Sequence, residues 1–366
     1  MRLPRWDELI DKQIKILEHP LNKPLFVAGP PGSGKTVLAI SRARMQTDAG
    51  KSVALVTFNR MLRRLASALD VASGHLNSTM HSFVWRDYVR QTDGEEPIKK
   101  PGSSFDYDWP AILARLAKNP KQSSSWENLI VDEGQDLPEG FFTYASRHVA
   151  GALTVFADDD QALGDRRTKL EQIQAAANLP DPVLLMENHR NCPEVAAVAE
   201  HFHEGRLPAA EVQRPPISEK PRLLHSRSLQ ATAELIARWL QTRGGSIGVV
   251  VDQNRTADEL VARLRASLPG RRVDLYKSDL KNEDAINILD TGITILNKES
   301  VKGQEFDAVF IVELERLIPC LSAQMRRVMY MLCTRARDAL HLIYGPATLS
   351  VAALAALPSP YLLERE

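Results

Sequence analysis

The stretch LFVAGPPGSGKTVLAI, residues 25–40, decides the fold. An apolar run enters GPPGSGKT (29–36), which fits the spacing G-x-x-x-x-G-K-[ST], and a helical pattern follows at once. Strand, loop and helix in that order make a phosphate cradle. Glycines let backbone N–H groups curl around phosphate oxygens, and the following helix points its positive end at them. Gly29, Pro30, Pro31, Gly32, Ser33, Gly34, Lys35 and Thr36 are therefore candidate nucleotide contacts. Lys35 is the group to reach the β- and γ-phosphates, and the Thr36 hydroxyl the one to ligate magnesium. The competing reading is an ordinary glycine-rich turn. Average residue usage yields this spacing by chance in roughly one chain in a hundred of this length, and the flanking context lowers that further.

Working outward, short apolar runs recur: VALVTF (53–58), NLIVDE (128–133), LTVFAD (153–158) and VLLM (183–186). A second series follows with IGVVVD (247–252), ITIL (293–296), AVFIVEL (308–314) and LHLIYG (340–345). Continuous rather than alternating apolar runs suit strands buried on both faces of a parallel sheet. Helix-period stretches such as TADELVARLRASL (256–268) lie between them, so the chain reads as α/β throughout. The Pro-rich stretch 207–221 reads as a linker or surface excursion, and the polar stretch from about 85 to 126 as a small insertion. Trp85 and Trp109, which flank that insertion, read as core residues holding it down.

NLIVDEGQD (128–136) completes the candidate site. Asp132 and Glu133 emerge from the C-terminal end of a buried strand, where α/β folds bind ligands. Asp132 is the candidate for holding Mg2+, and Glu133 the candidate general base that polarises the attacking water. An acidic pair after a strand is often a solvated turn; beside a phosphate loop on the same sheet it reads as hydrolytic.

Composition bounds the class. The 366 residues are 44% hydrophobic and 25% charged, the balance of a globular protein. Lys+Arg and Asp+Glu both number 46, so the net charge is zero, which argues against indiscriminate polyanion binding while leaving room for a local basic groove. Cys192, Cys320 and Cys333 have no pairing or metal-ligand spacing. The start, MRLPRWDELIDKQ, is polar, and no run is long and apolar enough to span a membrane, so a cytoplasmic location with no membrane partner is expected.

These motifs, in order, resemble the UvrD/Rep-like superfamily 1 helicases, from about Leu9 to Tyr344. DKQ, with Gln13, resembles the Q motif that reads adenine. VTFNRML (56–62) and TMHSF (79–83) are similar to the family's nucleic-acid-contacting motifs. VDEGQD matches the DExQD box, and FADDDQAL (156–163) the GDDDQSI motif. ENHRNCPEV (187–195), ESVKGQEFDAVFI (299–311) and RRVMYMLCTRARDAL (326–340) match the later motifs. The resemblance implies two tandem RecA-like P-loop NTPase domains with parallel sheets and ATP, with Mg2+, bound between them. Residues 1–186 would form the first domain, 187–350 the second and 351–366 a C-terminal tail. It also implies roles. Gln161 would sense the γ-phosphate, Arg190 and Arg335 would act as arginine fingers, His189 would stack on adenine and Glu305 would contact the ribose, with Lys302 and Gly303 beside them. Thr57, Phe58, Asn59, Arg60, His81, Ser82 and Phe83 would contact nucleic acid; for Phe58 and Phe83 the core is the competing reading.

The chain also departs from the family. Only residues 36–131 separate Lys35 from Asp132, and only 191–301 separate Arg190 from Lys302, whereas full-size relatives carry whole extra domains in those intervals. His189 stands where relatives have an aromatic, and GDRRTKL (164–170) lacks the tryptophan that stacks on a base. Base stacking is worth about 1–3 kcal/mol, so its loss weakens the grip on single strands. Two expectations follow. One is an ATP-dependent translocase on single-stranded DNA with 3′-to-5′ polarity. The other is a regulatory ATPase or nucleotide-dependent switch in a larger complex, with a protein partner such as a nuclease in genome defence.

Overall fold

The computed structural model describes residues 3–57, 63, 66–67, 75–118, 125–158, 168–205, 207–277 and 290–366. Internal contacts divide the chain into two compact units, Met1–Pro30 with Gly34–Leu185, and Pro31–Ser33 with Met186–Glu366. Among the described residues no helix is long and apolar enough to cross a membrane.

The first unit is built on strands β1 (Leu25–Ala28), β2 (Val53–Thr57), β3 (Leu76–Thr79), β4 (Trp126–Val131), β5 (Ala150–Ala157) and β6 (Val183–Leu184). They form one parallel sheet in the order β3-β2-β4-β5-β1-β6. Its helices are α1 (Asp11–Glu18), α2 (Lys35–Asp48), α3 (Met80–Gln91), α4 (Trp109–Lys118), α5 (Glu139–Tyr144) and α6 (Leu170–Ala177). The continuous apolar runs serve two cores, because successive residues of a strand face opposite sides. Phe26, Val56, Val131 and Val155 meet Phe83, Phe141 and Phe142 on one face. Val27, Leu55, Ile130 and Phe156 meet Ile16, Leu17, Leu38 and Ile40 of α1 and α2 on the other. The strand order brings the C-terminal ends of β1, β4 and β5 side by side, and everything singled out in GPPGSGKT and VDEGQD hangs from those ends.

The insertion is anchored as expected at Trp109, 8% exposed, whose ring meets Tyr107, Phe141 and Tyr144. Gly140 makes room for it, since a Cβ there would lie 2.3 Å from the indole. Trp85 differs from the expectation: it is 46% exposed and is not a core residue. The buried stripe of α3 runs Met80, Phe83, Val84, Asp87, Tyr88, and Trp85 falls off that stripe.

The second unit contains β7 (Glu187–Asn188), β8 (Glu211–Val212), β9 (Arg222–His225), β10 (Ser246–Val251), β11 (Val273–Leu275), β12 (Gly292–Asn297), β13 (Phe306–Ile311), β14 (Ala336–Tyr344) and β15 (Glu364–Arg365). β7 and β8 pair apart; the rest form a parallel sheet in the order β11-β12-β10-β13-β14-β9-β15. Helices α7 (Pro193–Glu200), α8 (Leu229–Arg243), α9 (Asn254–Ser267), α10 (Ala323–Cys333) and α11 (Val351–Ala355) complete it. Ile247, Val249, Ile293, Ile295 and Phe310 pack under Ile236, Leu240, Leu260 and Leu264. Residues 351–366 close the unit, with Glu364 paired opposite Arg222.

One core residue of this sheet makes its stability depend on pH. His341 is 5% exposed and stacks on Phe310 with ring centroids 4.5 Å apart, and neither ring nitrogen has a hydrogen-bond partner among the described residues. Burial, then Arg222 and Arg243, push its pKa from 6.5 down to about 4. A depressed histidine pKa means the unfolded chain takes up a proton first. The folded state therefore loses stability as pH falls from 6.5 towards 4, by an expected amount of about 3 kcal/mol. Denaturant melts of His341→Leu should lack that part of the acid slope; a wild-type and variant difference that stays constant from pH 7 to pH 4 would refute it.

Candidate nucleotide site

The loop after β1 is shaped by its glycines. Gly32 and Gly34 take positive φ of 81° and 87°, which side-chain-bearing residues adopt at a cost, and Gly34 caps α2. The Lys35 ammonium, 8% exposed, donates to the carbonyls of Gly29 (2.7 Å) and Pro30 (2.8 Å) and lies 3.5 Å from Asp158 Oδ2. Gln13 of α1, 6% exposed, comes up to the same loop: a Cβ on Gly34 would lie 3.1 Å from its Nε2.

Asp132 and Glu133 leave β4 beside this loop. Asp132 is fully sunk, accepts a hydrogen bond from the Thr36 side chain, and keeps Oδ2 buried with no hydrogen-bond partner among the described residues. Burial first, then the Glu133 carboxylate, push its pKa up to about 7, against the pull of Thr36 and Lys35. A buried carboxylate oxygen without a donor, next to a hydroxyl, is a donor set that fits a hard divalent cation such as Mg2+. Glu133 sits at φ 56° in left-handed conformation, which costs a residue with a side chain about 1 kcal/mol or more. That turn carries its carboxylate to Gln135, whose Nε2 donates to Glu133 Oε2 at 2.5 Å. The other end of the same amide, Oε1, accepts the backbone N–H of Asp158 at 2.9 Å. Gln135 thus ties the end of β4 to the end of β5. Gln135 and Asp158 were not singled out from the sequence; their presence in the quoted VDEGQD and FADDDQAL segments was the signal available.

The second unit has the same strand–loop–helix step at β10 and α9 but no glycine cradle. Glu313, at φ 61° after β13, fills the place instead: its carboxylate accepts the N–H groups of Asp252 (2.9 Å) and Gln253 (3.0 Å) and the Thr256 hydroxyl (2.7 Å). A carboxylate that occupies these donors puts negative charge at the start of α9, where it disfavours a phosphate.

The candidate arginines of this unit are held by a shared network. Asn188 Oδ1 accepts the N–H groups of Arg190 and Asn191 at 2.9 and 3.1 Å. Asn191 Nδ2 donates to the carbonyls of Thr334 (3.2 Å) and Ala336 (2.5 Å), on either side of Arg335. Arg214, from the stretch 207–221 read as a linker, donates to the carbonyls of Arg190 (2.8 Å) and Arg337 (3.0 Å) and to Asp338. That stretch therefore clamps the two arginine segments together. Arg190 Nε pairs with Glu305 Oε2 at 2.8 Å, joining two residues that the sequence assigned separately. Arg335, 1% exposed, donates to the Met331 carbonyl (2.9 Å), the Gln304 carbonyl (3.3 Å) and Thr334 Oγ1 (3.2 Å). Lys302 is 2% exposed. His189 is half-buried; burial lowers its pKa, which favours a neutral imidazole.

The candidate nucleic-acid contacts are scattered in their environments. Phe58, Asn59, Arg60 and the candidate sensor Gln161 lie outside the described residues. Thr57 ends β2, is 2% exposed and stands opposite Thr79. His81 and Ser82 are exposed at the start of α3. The His81 ring lies 3.1 Å from the Phe105 carbonyl, and its own carbonyl accepts the Tyr107 hydroxyl at 3.1 Å, so it fastens the insertion to α3. Phe83 corrects an expectation: it is 1% exposed, part of the core and packed against Trp126, so it offers no face to a base.

Residues 13–165 match the family model of the AAA domain. No curated protein matches the chain. Among solved structures, the C-terminal domain of a possible DNA helicase from Lactobacillus plantarum WCFS1 is similar over 48% of this chain and 98% of its own, with 18% identity and a TM-score of 0.36. The AAA match begins at Gln13 and takes in the phosphate loop, Asp132 and Glu133, so over that stretch the first unit is AAA-like.

Proposed function

We propose that the chain is an ATP hydrolase of the superfamily 1 helicase kind, whose turnover drives movement on single-stranded DNA. The observation that carries this reading is the meeting of Lys35, Asp132 and Asp158 at the ends of three adjacent strands, with Gln135 fixing Glu133 beside them. Lys35 and the loop N–H groups hold the phosphates. Thr36 and Asp132 hold Mg2+, which when bound supplies positive charge against the phosphate oxygens. Glu133 takes a proton from the attacking water as the bond to the leaving diphosphate breaks. Arg190 and Arg335 offset the charge that spreads over the transferred group. His81 and Ser82, both exposed, contribute phosphate contacts on the strand, and the polarity follows the family.

A second reading has a specific observation behind it. With Phe83 in the core and no tryptophan in 164–170, two places where the resemblance would put a ring against a base offer none, which favours a nucleotide switch that acts on a protein partner such as a nuclease. Steady-state ATP hydrolysis, with and without single-stranded DNA and beside Lys35→Ala, separates the two. The motor reading expects DNA to raise turnover about tenfold or more, about 1.4 kcal/mol off the barrier, and Lys35→Ala to abolish it. Lys35-dependent turnover indifferent to DNA and RNA would sink the motor reading in favour of the switch.

A further inference from the structure

Arg42 lies two turns along α2 from Lys35, on the same face, and has no exposed surface. Such a guanidinium needs partners for its donors, and this one has them on three elements. Its Nη1 donates to the carbonyls of Ile16 (3.0 Å), Leu17 (3.3 Å) and His19 (2.9 Å), and its Nη2 to that of Pro20 (3.3 Å). Its Nε donates to Thr154 Oγ1 at 3.3 Å. Ile16 and Leu17 belong to the last turn of α1, whose carbonyls have no partner within the helix, and a cation there also meets the negative end of the helix dipole. The C-cap, His19, is extended and no glycine closes the helix. At two turns, α1 is too short to hold its own geometry in water.

The other end of α1 carries Gln13. Its Oε1 accepts the Ile10 N–H at 3.3 Å, closing the N-terminus, and its Nε2 faces Gly34 of the phosphate loop. Gln13 and Arg42 therefore fasten the two ends of one short helix. Arg42 also reaches β5 through Thr154, and β5 ends next to Asp158. One side chain thus joins α1, the helix that starts at Lys35, and the strand that leads to Asp158.

We propose that Arg42 is a positioning residue for base selectivity: by capping α1 it holds Gln13 against Gly34, where the amide selects adenine over guanine nucleotides. This rests on the reading of Gln13 as the group that meets the base. Burial lowers the Arg42 pKa only to about 10, so the side chain remains a cation. Lysine is a poor substitute, since a point charge cannot reach carbonyls spread over five positions as a planar fork does.

The test is equilibrium binding of ATP and of GTP to the full chain, by competition with a fluorescent nucleotide, for wild type, Gln13→Ala, Arg42→Met, Arg42→Lys and the Gln13→Ala/Arg42→Met pair. Gln13→Ala should cut the ATP-to-GTP preference by about tenfold, the worth of a well-made hydrogen bond. Arg42→Met should lose a similar factor with Gln13 still present, and the double variant should lose no more than either alone, because both act through one contact. Arg42→Lys should fall between. A folded Arg42→Met whose affinities for both nucleotides drop together, with their ratio unchanged, would overturn the proposal and leave Arg42 a structural residue. Should Arg42→Met not fold, an unchanged ratio in Arg42→Lys overturns it equally. A preference untouched by Gln13→Ala strikes instead at the reading of Gln13, and the role of Arg42 falls with it.

Discussion

Glu133→Gln is expected to lower ATP turnover by about 10²–10⁴-fold while leaving ATP binding close to wild type. The size follows from what the carboxylate alone can do, which is to take the proton from the attacking water. The selectivity for the chemical step follows from the surroundings. A glutamine at this position keeps the shape, and its own side-chain oxygen can still accept from Gln135 Nε2, so the link through Gln135 to the backbone of Asp158 persists. Nothing in the phosphate loop is touched, because Lys35 is held by the Gly29 and Pro30 carbonyls. Replacing the charge also removes the repulsion that helps raise the neighbouring Asp132 pKa, so metal binding should not suffer. Single-turnover hydrolysis and fluorescent-nucleotide binding, measured on one preparation, check both halves. Turnover within a factor of about three of wild type would remove Glu133 from the general-base role. An equal loss of binding would mean that its carboxylate holds the site together rather than acting on water.

The strands and the phosphate loop were legible because each is a local pattern. LFVA, NLIV and GVVV are continuous apolar runs, and each is a parallel strand with both faces covered. GPPGSGKT announces two left-handed backbone positions, and Gly32 and Gly34 adopt them. What stayed hidden depends on side chains that reach across the chain. Gln135 joins two strand ends, Asn191 joins residues 188 and 334–336, and Arg42 joins 16–20 to 154. No spacing within one segment encodes such a link. Glu133 and Glu313 make the same point: both sit at positive φ after a strand, where glycine would be the residue to expect, so nothing in their type signals the turn. Trp85 shows a different limit. Its residue type suggests core, whereas the helical period of Met80, Phe83, Val84, Asp87 and Tyr88 separates a buried face, where Phe83 lies as its core reading has it, from the exposed face that carries Trp85.

Removing either arginine of the second unit should cost about 10³-fold or more in turnover, the range in which a guanidinium acts on a transferring phosphoryl group, yet the two should differ in what else they cost. Arg190 is about 15% exposed, and its Nε–Glu305 bond is an ion pair reached by solvent. Arg190→Ala leaves Glu305 able to hydrate, so stability should change by less than about 1 kcal/mol. Arg335 is 1% exposed and donates to the carbonyls of Met331 and Gln304 and to Thr334 Oγ1. Arg335→Ala strips donors from buried acceptors, which should lower stability by about 1–3 kcal/mol in addition to the kinetic loss. Arg335→Lys keeps the charge and should recover part of the stability but little of the rate, because an ammonium lacks the planar fork. Single-turnover rates at saturating ATP, corrected for folded fraction and set beside thermal melts, separate the two effects. If Arg190→Ala turns over at the wild-type rate, the Arg190–Glu305 pair is a structural ion pair only. If the Arg335→Lys rate recovers in step with its stability, Arg335 is a core residue and the charge on the phosphoryl group is met by something else.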